Sequence, residues 1–163
     1  MKRYDLMHDI NVRGTYLCSK ICLPYLKKSS TPHILNLSPP INLKPKWFEN
    51  FTAYTTSKYS MSMIALGMAS EYKKYKIAVN CLWTKTAINT AAISMLGGFV
   101  SPEQCRIPDI VSDAAFSILS KNSSECTGNF FIDEFVLRDE GINDFDKYAV
   151  KPGTNLFEDL YLD

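Results

Sequence analysis

The segment His33-Ile34-Leu35-Asn36-Leu37-Ser38-Pro39-Pro40 is a short apolar run that two prolines close. This pattern is typical of a strand buried in a parallel sheet, because proline lacks the N–H that would extend the hydrogen-bond ladder. A second apolar run, Ile77-Ala78-Val79-Asn80-Cys81-Leu82-Trp83, follows a polar turn at residues 73–76. Two such strands joined by a helical segment predict a parallel pair with a crossover helix.

Helical patterns lie on both sides of the first strand. Residues 4–27 carry apolar or small side chains at helical spacing and predict one amphipathic helix, bent at Pro24. Residues 39–50 contain several prolines and predict a loop. The segment from Ala53 to about Lys74 is rich in Ala, Ser and Met and predicts the long crossover helix.

The second half of the chain continues the alternation. Residues 84–106 lack a clean period and contain Gly97-Gly98, so they predict a mobile segment with one short helix. Pro108-Asp109 predicts the start of a helix that reaches about Ser120. Residues 128–133 predict a third strand, and residues 134–163 are acidic without a strong period.

These elements predict an α/β fold. Three strands that alternate with helices form the C-terminal half of a doubly wound parallel sheet, with a partial domain at residues 1–133 and an acidic extension at 134–163. No strand pattern precedes the first helix in this sequence. We therefore expect that N-terminal strands are missing and that one edge of strand 33–37 lacks its neighbour.

Composition and charge argue against several classes of function. The chain has a net charge of +1 and a pI near 7.6, whereas a nucleic-acid binder is expected to be strongly basic. No apolar run reaches the ~18 residues that a transmembrane helix needs. Five cysteines without a CxxC pair and two histidines at no ligand spacing predict a reducing environment and no metal site.

The segment Tyr54-Thr55-Thr56-Ser57-Lys58 places a phenol and an ammonium group one turn apart on a helix face. A neighbouring cation lowers the pKa of a tyrosine, which can then act as general acid or base on a carbonyl or an alcohol. Tyr16 with Lys20 and Tyr72 with Lys76 share this spacing. Only the first pair begins a helix that follows a strand and a loop, which predicts a position at the ligand-binding edge of a parallel sheet.

The order of these motifs resembles the second half of a classical short-chain dehydrogenase/reductase, which has a Rossmann-type fold. The resemblance rests on Asn11 in a helix, the Asn-Leu-Ser turn at 36–38, Tyr54-x-x-x-Lys58 and Val79-Asn80. It covers nearly the whole chain. Five segments resemble a hydroxysteroid dehydrogenase-like branch of the family: residues 13–17, 24–28, 33–40, 85–92 and 148–153.

The resemblance implies an oxidoreductase that uses NAD or NADP and acts on a carbonyl or alcohol, including lipid-like or steroid-like substrates. Tyr54 would be the proton donor or acceptor, and Lys58 would lower its pKa and hold the nicotinamide ribose. Asn11 would anchor a water of the proton relay. Ser38 either orients the substrate or leaves that position vacant, because it stands sixteen residues before Tyr54, a longer interval than is usual in the family.

The cofactor site is implied only in part. Ile88 and Thr90 resemble residues that meet the nicotinamide carboxamide, in a loop where Thr84-Lys85 stands in place of the family's Pro-Gly. The seven glycines do not form the turn that receives the cofactor pyrophosphate in the family. Loss of several phosphate contacts at ~1.5–3 kcal/mol each predicts that the chain alone is weakly active or inactive.

Three functional hypotheses remain open. The first is an NAD(P)-dependent oxidoreductase of which this chain is a fragment. The second is a non-catalytic pseudoenzyme or an oligomerisation partner of a full-length relative, because helices matching residues 4–27 and 52–74 pair subunits in the family. The third is an unrelated α/β binding domain. The resemblance implies a peroxisomal location, with mitochondrial or cytoplasmic alternatives, and we find no targeting signal in this sequence.

Overall fold

The computed structural model describes residues 1–95 and 98–162. The chain forms two compact units, one of Met1–Trp83 with Lys121–Phe131 and one of Thr84–Ser120 with Ile132–Asp163. The strands are β1 His33–Leu37, β2 Ala78–Trp83 and β3 Phe130–Ile132. The helices are α1 Lys2–His8, α2 Thr15–Leu26, α3 Thr52–Tyr72, α4 Ala91–Met95, α5 Asp109–Leu119 and α6 Asp133–Asp139.

The three strands form one parallel sheet in the order β1-β2-β3. β1 pairs with β2 from His33 opposite Ala78 to Leu37 opposite Leu82. Every residue of β2 is buried, as expected of a central strand, whereas β1 is an edge strand of the described sheet. The predicted α/β fold with three parallel strands and flanking helices is confirmed, and so are the bounds of β1.

The core of the first unit lies between α3 and β2. Small and flexible side chains on α3 allow the helix to approach the sheet closely, and burial of their apolar surface stabilises the pair. The buried members of this core are Ala65, Met68, Ala69, Tyr72, Ile77, Val79 and Cys81. The turn between the helix and the strand ends at Lys76, whose φ of 57° reverses the chain direction within a few residues.

The N-terminal helical segment differs from its prediction. The single helix predicted at 4–27 is interrupted by a π-helical turn at Asp9–Gly14, which separates α1 from α2. At Gly14 an added Cβ would lie 3.4 Å from the carbonyl oxygen of Asp9, which is at the limit of ordinary van der Waals contact. Pro24 lies in the last turn of α2, where it removes a single backbone hydrogen bond.

The third strand is shorter than the predicted 128–133. Gly128 has a φ of +80° and Asn129 is held by a side chain of β2, so regular strand geometry begins only at Phe130. The prediction that Asp133 belongs to the third strand is wrong, because Asp133 is the first residue of α6. Its carboxylate accepts hydrogen bonds from the backbone N–H groups of Glu134 at 2.7 Å and Lys85 at 2.8 Å.

Within the second unit, α6 and the residues after it pack against the region around α5. The hydroxyl of Tyr148 donates to the carboxylate of Asp113 at 2.7 Å, and Tyr161 is buried. The predicted division at residue 133 stays a prediction about organisation. Residues 84–106 contain the one predicted short α-helix, α4, and a further 3-10 turn at Pro102–Gln104; Gly97 lies outside the described residues.

A buried carboxylate pairs with several cations in the second unit. Glu134 is 3% exposed and lies 2.7 Å from Arg106, 2.7 Å from Arg138 and 3.3 Å from Lys85. Burial alone would raise the pKa of Glu134, but the hydrogen bonds from the two guanidinium groups and the charge of Lys85 outweigh it and lower that pKa. The ion pairs therefore fix the start of α6 to the loop before α4 and to Arg106.

Asp133 has the opposite electrostatic behaviour. Burial raises the pKa of Asp133 to about 6, although the N–H groups of Lys85 and Glu134 and the charge of Arg106 favour its ionised form. One oxygen of Asp133 is buried without a hydrogen-bond partner among the described residues. Ionised Asp133 is consequently a destabilising feature of the fold near neutral pH.

We predict that Asp133→Asn removes a pH-dependent loss of stability. Because the pKa of Asp133 is higher in the folded chain, its stabilising contribution is fully present below pH 3.8 and is lost as the pH rises through about 6. The variant should have a free energy of unfolding at pH 7.5 that is higher by on the order of 2 kcal/mol. Urea unfolding between pH 4 and 8 measures this change.

The matched control for this measurement is Asp139→Asn, because Asp139 is exposed at the end of the same helix. That variant should retain the pH profile of the unchanged chain. A lower unfolding free energy for Asp133→Asn at pH 7.5, together with an unaltered slope below pH 6, would contradict the assignment.

Candidate functional site

The predicted pair Tyr54 and Lys58 lies at the carboxyl ends of β1 and β2. Both residues are in the first two turns of α3 and both side chains are half-buried. The chain leaves β1 at Leu37, passes through a loop, and returns along α3, so the first turns of the helix meet the ends of the strands. This edge is where open parallel α/β sheets bind ligands.

The ammonium group of Lys58 contacts the ends of both strands. Its Nζ donates a hydrogen bond to the carbonyl oxygen of Leu37, the last residue of β1, at 2.8 Å. The same Nζ lies 5.2 Å from the ring centroid of Trp83, the last residue of β2. A charge-assisted hydrogen bond and a cation–π contact thus fix the positive charge at the sheet edge.

Asn11 forms a hydrogen bond with a residue of α3, the helix that carries Tyr54 and Lys58. Its Nδ2 donates to the Oγ of Ser57 at 3.1 Å, and Ser57 Oγ donates to the carbonyl oxygen of Tyr54 at 2.8 Å. The π-helical turn that contains Asn11 is therefore tied to the turn of α3 that carries Tyr54. Ser57 was not predicted as a site residue, and its position beside Lys58 in the motif was the signal available. The role of Asn11 in a proton relay stays a prediction.

Ser38 is fully buried directly after β1. Its Oγ has no hydrogen-bond partner of good geometry among the described residues, although the hydroxyl lies near the thiol of Cys81. Burial raises the pKa of that thiol to about 11, and the Ser38 hydroxyl acts in the opposite direction. The burial of Ser38 does not decide between the two alternatives, and both the substrate-orienting role and the vacant position stay predictions.

The loop after Ser38 is fixed by two side chains of α3. The hydroxyl of Tyr59 donates to the carbonyl oxygen of Asn42 at 2.6 Å and accepts its N–H at 3.3 Å. The Oγ of Ser62 donates to the carbonyl oxygen of Pro39 at 2.6 Å. These contacts were not predicted, because no local pattern indicates which helical hydroxyl meets a loop about twenty residues away.

Asn80 of the Val79-Asn80 motif links β2 to the turn before β3. Its side chain is 1% exposed; it donates to the carbonyl oxygen of Cys126 at 2.7 Å and accepts the N–H of Asn129 at 3.0 Å. All polar positions of the buried amide are thereby directed at neighbouring chain segments. The motif residue has a structural role in assembling the sheet beside the site.

Ile88 and Thr90 belong to the second compact unit. Ile88 is half-buried and forms an isolated parallel bridge with Arg106, while Thr90 is exposed just before α4. Thr84, which stands where a proline is usual, donates its hydroxyl hydrogen bond to Asp159. The predicted contacts of Ile88 and Thr90 with a nicotinamide stay predictions.

The described residues suit one end of a dinucleotide. An ammonium group such as that of Lys58 carries three N–H donors, and ribose hydroxyls are suitable acceptors. A phosphate-binding turn needs glycine between a strand and a helix, and no glycine of residues 1–95 and 98–162 stands at such a turn. Lys58 therefore offers donors of the kind that a ribose would accept, and the described part of the site offers no pyrophosphate cradle.

Within the described ranges no three His, Cys, Asp or Glu side chains are grouped so as to hold a metal ion. The same residues include no helix with the length and hydropathy of a membrane span.

Comparison with known proteins gives matches over the whole chain. A family model described as short chain dehydrogenase matches residues 1–95. Hydroxysteroid dehydrogenase-like protein 2 is 63% identical over 163 residues in Xenopus tropicalis and 60% identical over 162 residues in Homo sapiens. A solved structure of a short chain dehydrogenase from Mycobacterium thermoresistibile is 45% identical, with a TM-score of 0.91 over 100% of this chain.

These matches differ from the present chain in length. It spans 39% of the Xenopus tropicalis protein, 38% of the human protein and 58% of the solved Mycobacterium thermoresistibile chain. In the first and last of these comparisons the match takes in 100% of the residues of this chain.

Proposed function

Because this chain belongs to the short-chain dehydrogenase family, we propose that it supplies the proton-transfer side of an NAD(P)-dependent oxidoreductase that interconverts a carbonyl and an alcohol. The observation that carries the proposal is the position of Lys58 at the ligand-binding edge of the sheet. Its Nζ donates a hydrogen bond of 2.8 Å to the carbonyl oxygen of Leu37, and Tyr54 lies one helical turn before it. A lysine directed elsewhere would not support a phenolate.

The chain's own residues handle the proton. A bound nicotinamide would supply the hydride chemistry, as donor to a carbonyl carbon or as acceptor from an alcohol carbon. During reduction the electron pair of the C=O bond moves to oxygen, and that oxygen takes the proton of the Tyr54 hydroxyl. The positive charge of Lys58 stabilises the phenolate that remains, and its N–H groups hold the ribose. Oxidation of the alcohol follows the same path in reverse.

The relatives' names bear on the substrate. Two of them are named hydroxysteroid dehydrogenase-like, which favours a lipid-like or steroid-like secondary alcohol over a small polar one. Either NAD or NADP is compatible with the described residues, because the groups that distinguish the two cofactors bind the adenosine end. We further propose that the 163-residue chain on its own binds dinucleotide weakly, since its described part lacks a pyrophosphate turn.

We predict that Tyr54→Phe in the native protein that contains this sequence lowers kcat by about 10² to 10⁴, because the proton donor is lost while the fold is kept. Lys58→Met should lower kcat similarly and also raise the KM for the cofactor. The assay follows nicotinamide absorbance with NAD⁺ and NADP⁺ against a panel of secondary alcohols that includes hydroxysteroids.

The matched control is Tyr16→Phe, because Tyr16 has the same four-residue spacing to Lys20 and its ring lies 5.5 Å from that ammonium group. This variant should retain full activity. Undiminished turnover by Tyr54→Phe would remove Tyr54 from the mechanism, and a native protein that binds neither dinucleotide would overturn the enzymatic proposal as a whole.

A second candidate function is assembly with another subunit. Large apolar side chains stand exposed at four- and seven-residue intervals along the N-terminal helices, with exposures of 59% for Leu6, 63% for Ile10, 47% for Leu17 and 60% for Ile21. Met63 on α3 is also 63% exposed. Exposed apolar side chains in such numbers are typical of interaction sites, so these residues favour pairing with a second copy or with a full-length relative.

For assembly we predict that Ile10→Glu combined with Ile21→Glu shifts the protein from dimer or higher oligomer to monomer in sedimentation velocity, because two charges enter an apolar interface. The matched control is Phe116→Glu, since Phe116 is 75% exposed on α5 of the other unit. A monomeric unchanged protein that also fails to co-sediment with a full-length relative would exclude this function.

A further inference from the structure

Trp83 lies at the end of β2 and faces the predicted catalytic lysine. It is 9% exposed, and its ring centroid is 5.2 Å from Lys58 Nζ. The other anchor of that ammonium group, the carbonyl oxygen of Leu37, lies across the same strand pair, because Leu37 is opposite Leu82 in the β1–β2 register. The two contacts therefore come from adjacent positions at one edge of the sheet.

The two contacts restrain the lysine in complementary ways. A lysine side chain has four rotatable bonds and loses much conformational freedom when it is fixed. The carbonyl oxygen of Leu37 accepts one N–H and sets the position of Nζ, whereas the aromatic face attracts the whole cation without a directional hydrogen bond. The ring can thus keep the ammonium group at the edge while its N–H groups bind other acceptors.

We infer that Trp83 is a positioning residue, which acts through Lys58 by holding its ammonium group at the sheet edge beside Tyr54. The catalytic consequence rests on the function proposed above. The contact between the Trp83 ring and Lys58 is independent of that function, and it can be tested without an enzymatic assay. Both residues belong to the first compact unit, so the contact lies within a single packed body.

A purely structural role for Trp83 is the alternative. Its position at the end of a buried strand would suit a core residue that any large apolar side chain replaces. Leucine keeps much of the apolar character but has no aromatic face, whereas phenylalanine keeps a face. Trp83→Leu and Trp83→Phe therefore distinguish lysine positioning from packing, because only positioning requires an aromatic ring.

The first measurement is the acetylation rate of each lysine with acetic anhydride, resolved by mass spectrometry. Acetylation requires that the anhydride reach the amine nitrogen, and the ring and the carbonyl group restrict that approach at Lys58. Trp83→Leu should accelerate acetylation of Lys58 by about threefold to tenfold, and Trp83→Phe by less than half of that increase. Lys28, exposed after α2, serves as the internal reference whose rate should not change.

The matched control uses the other tryptophan of the chain. Trp47 has a local contact with its neighbour, with Lys46 Nζ 4.3 Å from its ring centroid. Trp47→Leu should leave the Lys58 rate unchanged. Equal Lys58 rates in folded Trp83→Leu, Trp83→Phe and unchanged protein would overturn the inference.

A second measurement covers the case in which Trp83→Leu does not fold. In the native protein with Trp47 and any tryptophan outside these 163 residues replaced by phenylalanine, Trp83 is the single tryptophan. Lys58→Met then removes the cation from its face, and the inference requires a change in both emission maximum and intensity. Superimposable spectra of the two proteins would also overturn it.

In the native protein the same variants separate the inference from the proposed function. Trp83→Leu should lower kcat by about threefold to tenfold, and Trp83→Phe should restore most of it. Altered Lys58 acetylation in a protein without dehydrogenase activity would sustain the positioning contact and defeat the proposed function. Unaltered Lys58 acetylation in a protein with dehydrogenase activity would overturn the positioning inference and leave the proposed function standing.

Discussion

Parallel pairing of β1 with β2 brings Leu37 and Trp83 to the same edge of the sheet, and the crossover through α3 places Lys58 between them. The return of the chain through the crossover leaves the first turns of the helix next to the carboxyl ends of the strands. The small residues of α3 allow that approach, and the hydrogen bond of 2.8 Å from Lys58 to Leu37 then ties helix to sheet. The position of Tyr54 follows, because it lies one turn earlier on the same face.

Local sequence signals predicted the elements that end at residues unable to continue them, such as proline after a strand. β1 has the predicted bounds, because Pro39 and Pro40 cannot continue a ladder, and α3 lies within two residues of its prediction. The errors came from contacts between residues far apart in the chain. The π-helical turn is tied to Ser57, forty-six residues from Asn11.

The end of β3 illustrates the same limit. Asp133 continues an apolar strand pattern in the sequence, yet its carboxylate accepts the N–H of Lys85, forty-eight residues away, and begins α6. Neither contact leaves a mark in the local hydrophobic pattern, and both redirect the chain. The break between α1 and α2 and the end of β3 therefore coincide with long-range hydrogen bonds, which the hydrophobic periodicity of the sequence does not predict.

Some residues of the candidate site were predicted from the sequence, and others were recognised only in the structure. The spacing of Tyr54 and Lys58 and their place after a strand were sufficient to predict the pair, whereas Trp83 was interpreted as the end of a core strand. Its contact with Lys58 depends on the strand register, which places the last residue of β2 beside the end of β1. Ser38 fits the family order in the sequence but not its usual spacing to Tyr54, and in the structure it is completely buried directly after β1.

The most direct test of the account is a crystal structure of the native protein that contains this sequence, with NADP⁺ or NAD⁺ bound. The account predicts that Lys58 Nζ contacts the nicotinamide ribose at hydrogen-bond distance, roughly 3 Å, while it still contacts the Leu37 carbonyl oxygen and the Trp83 face, with the Tyr54 hydroxyl beside the nicotinamide. A dinucleotide bound away from the ends of β1 and β2, or Lys58 directed away from the ribose, would contradict it.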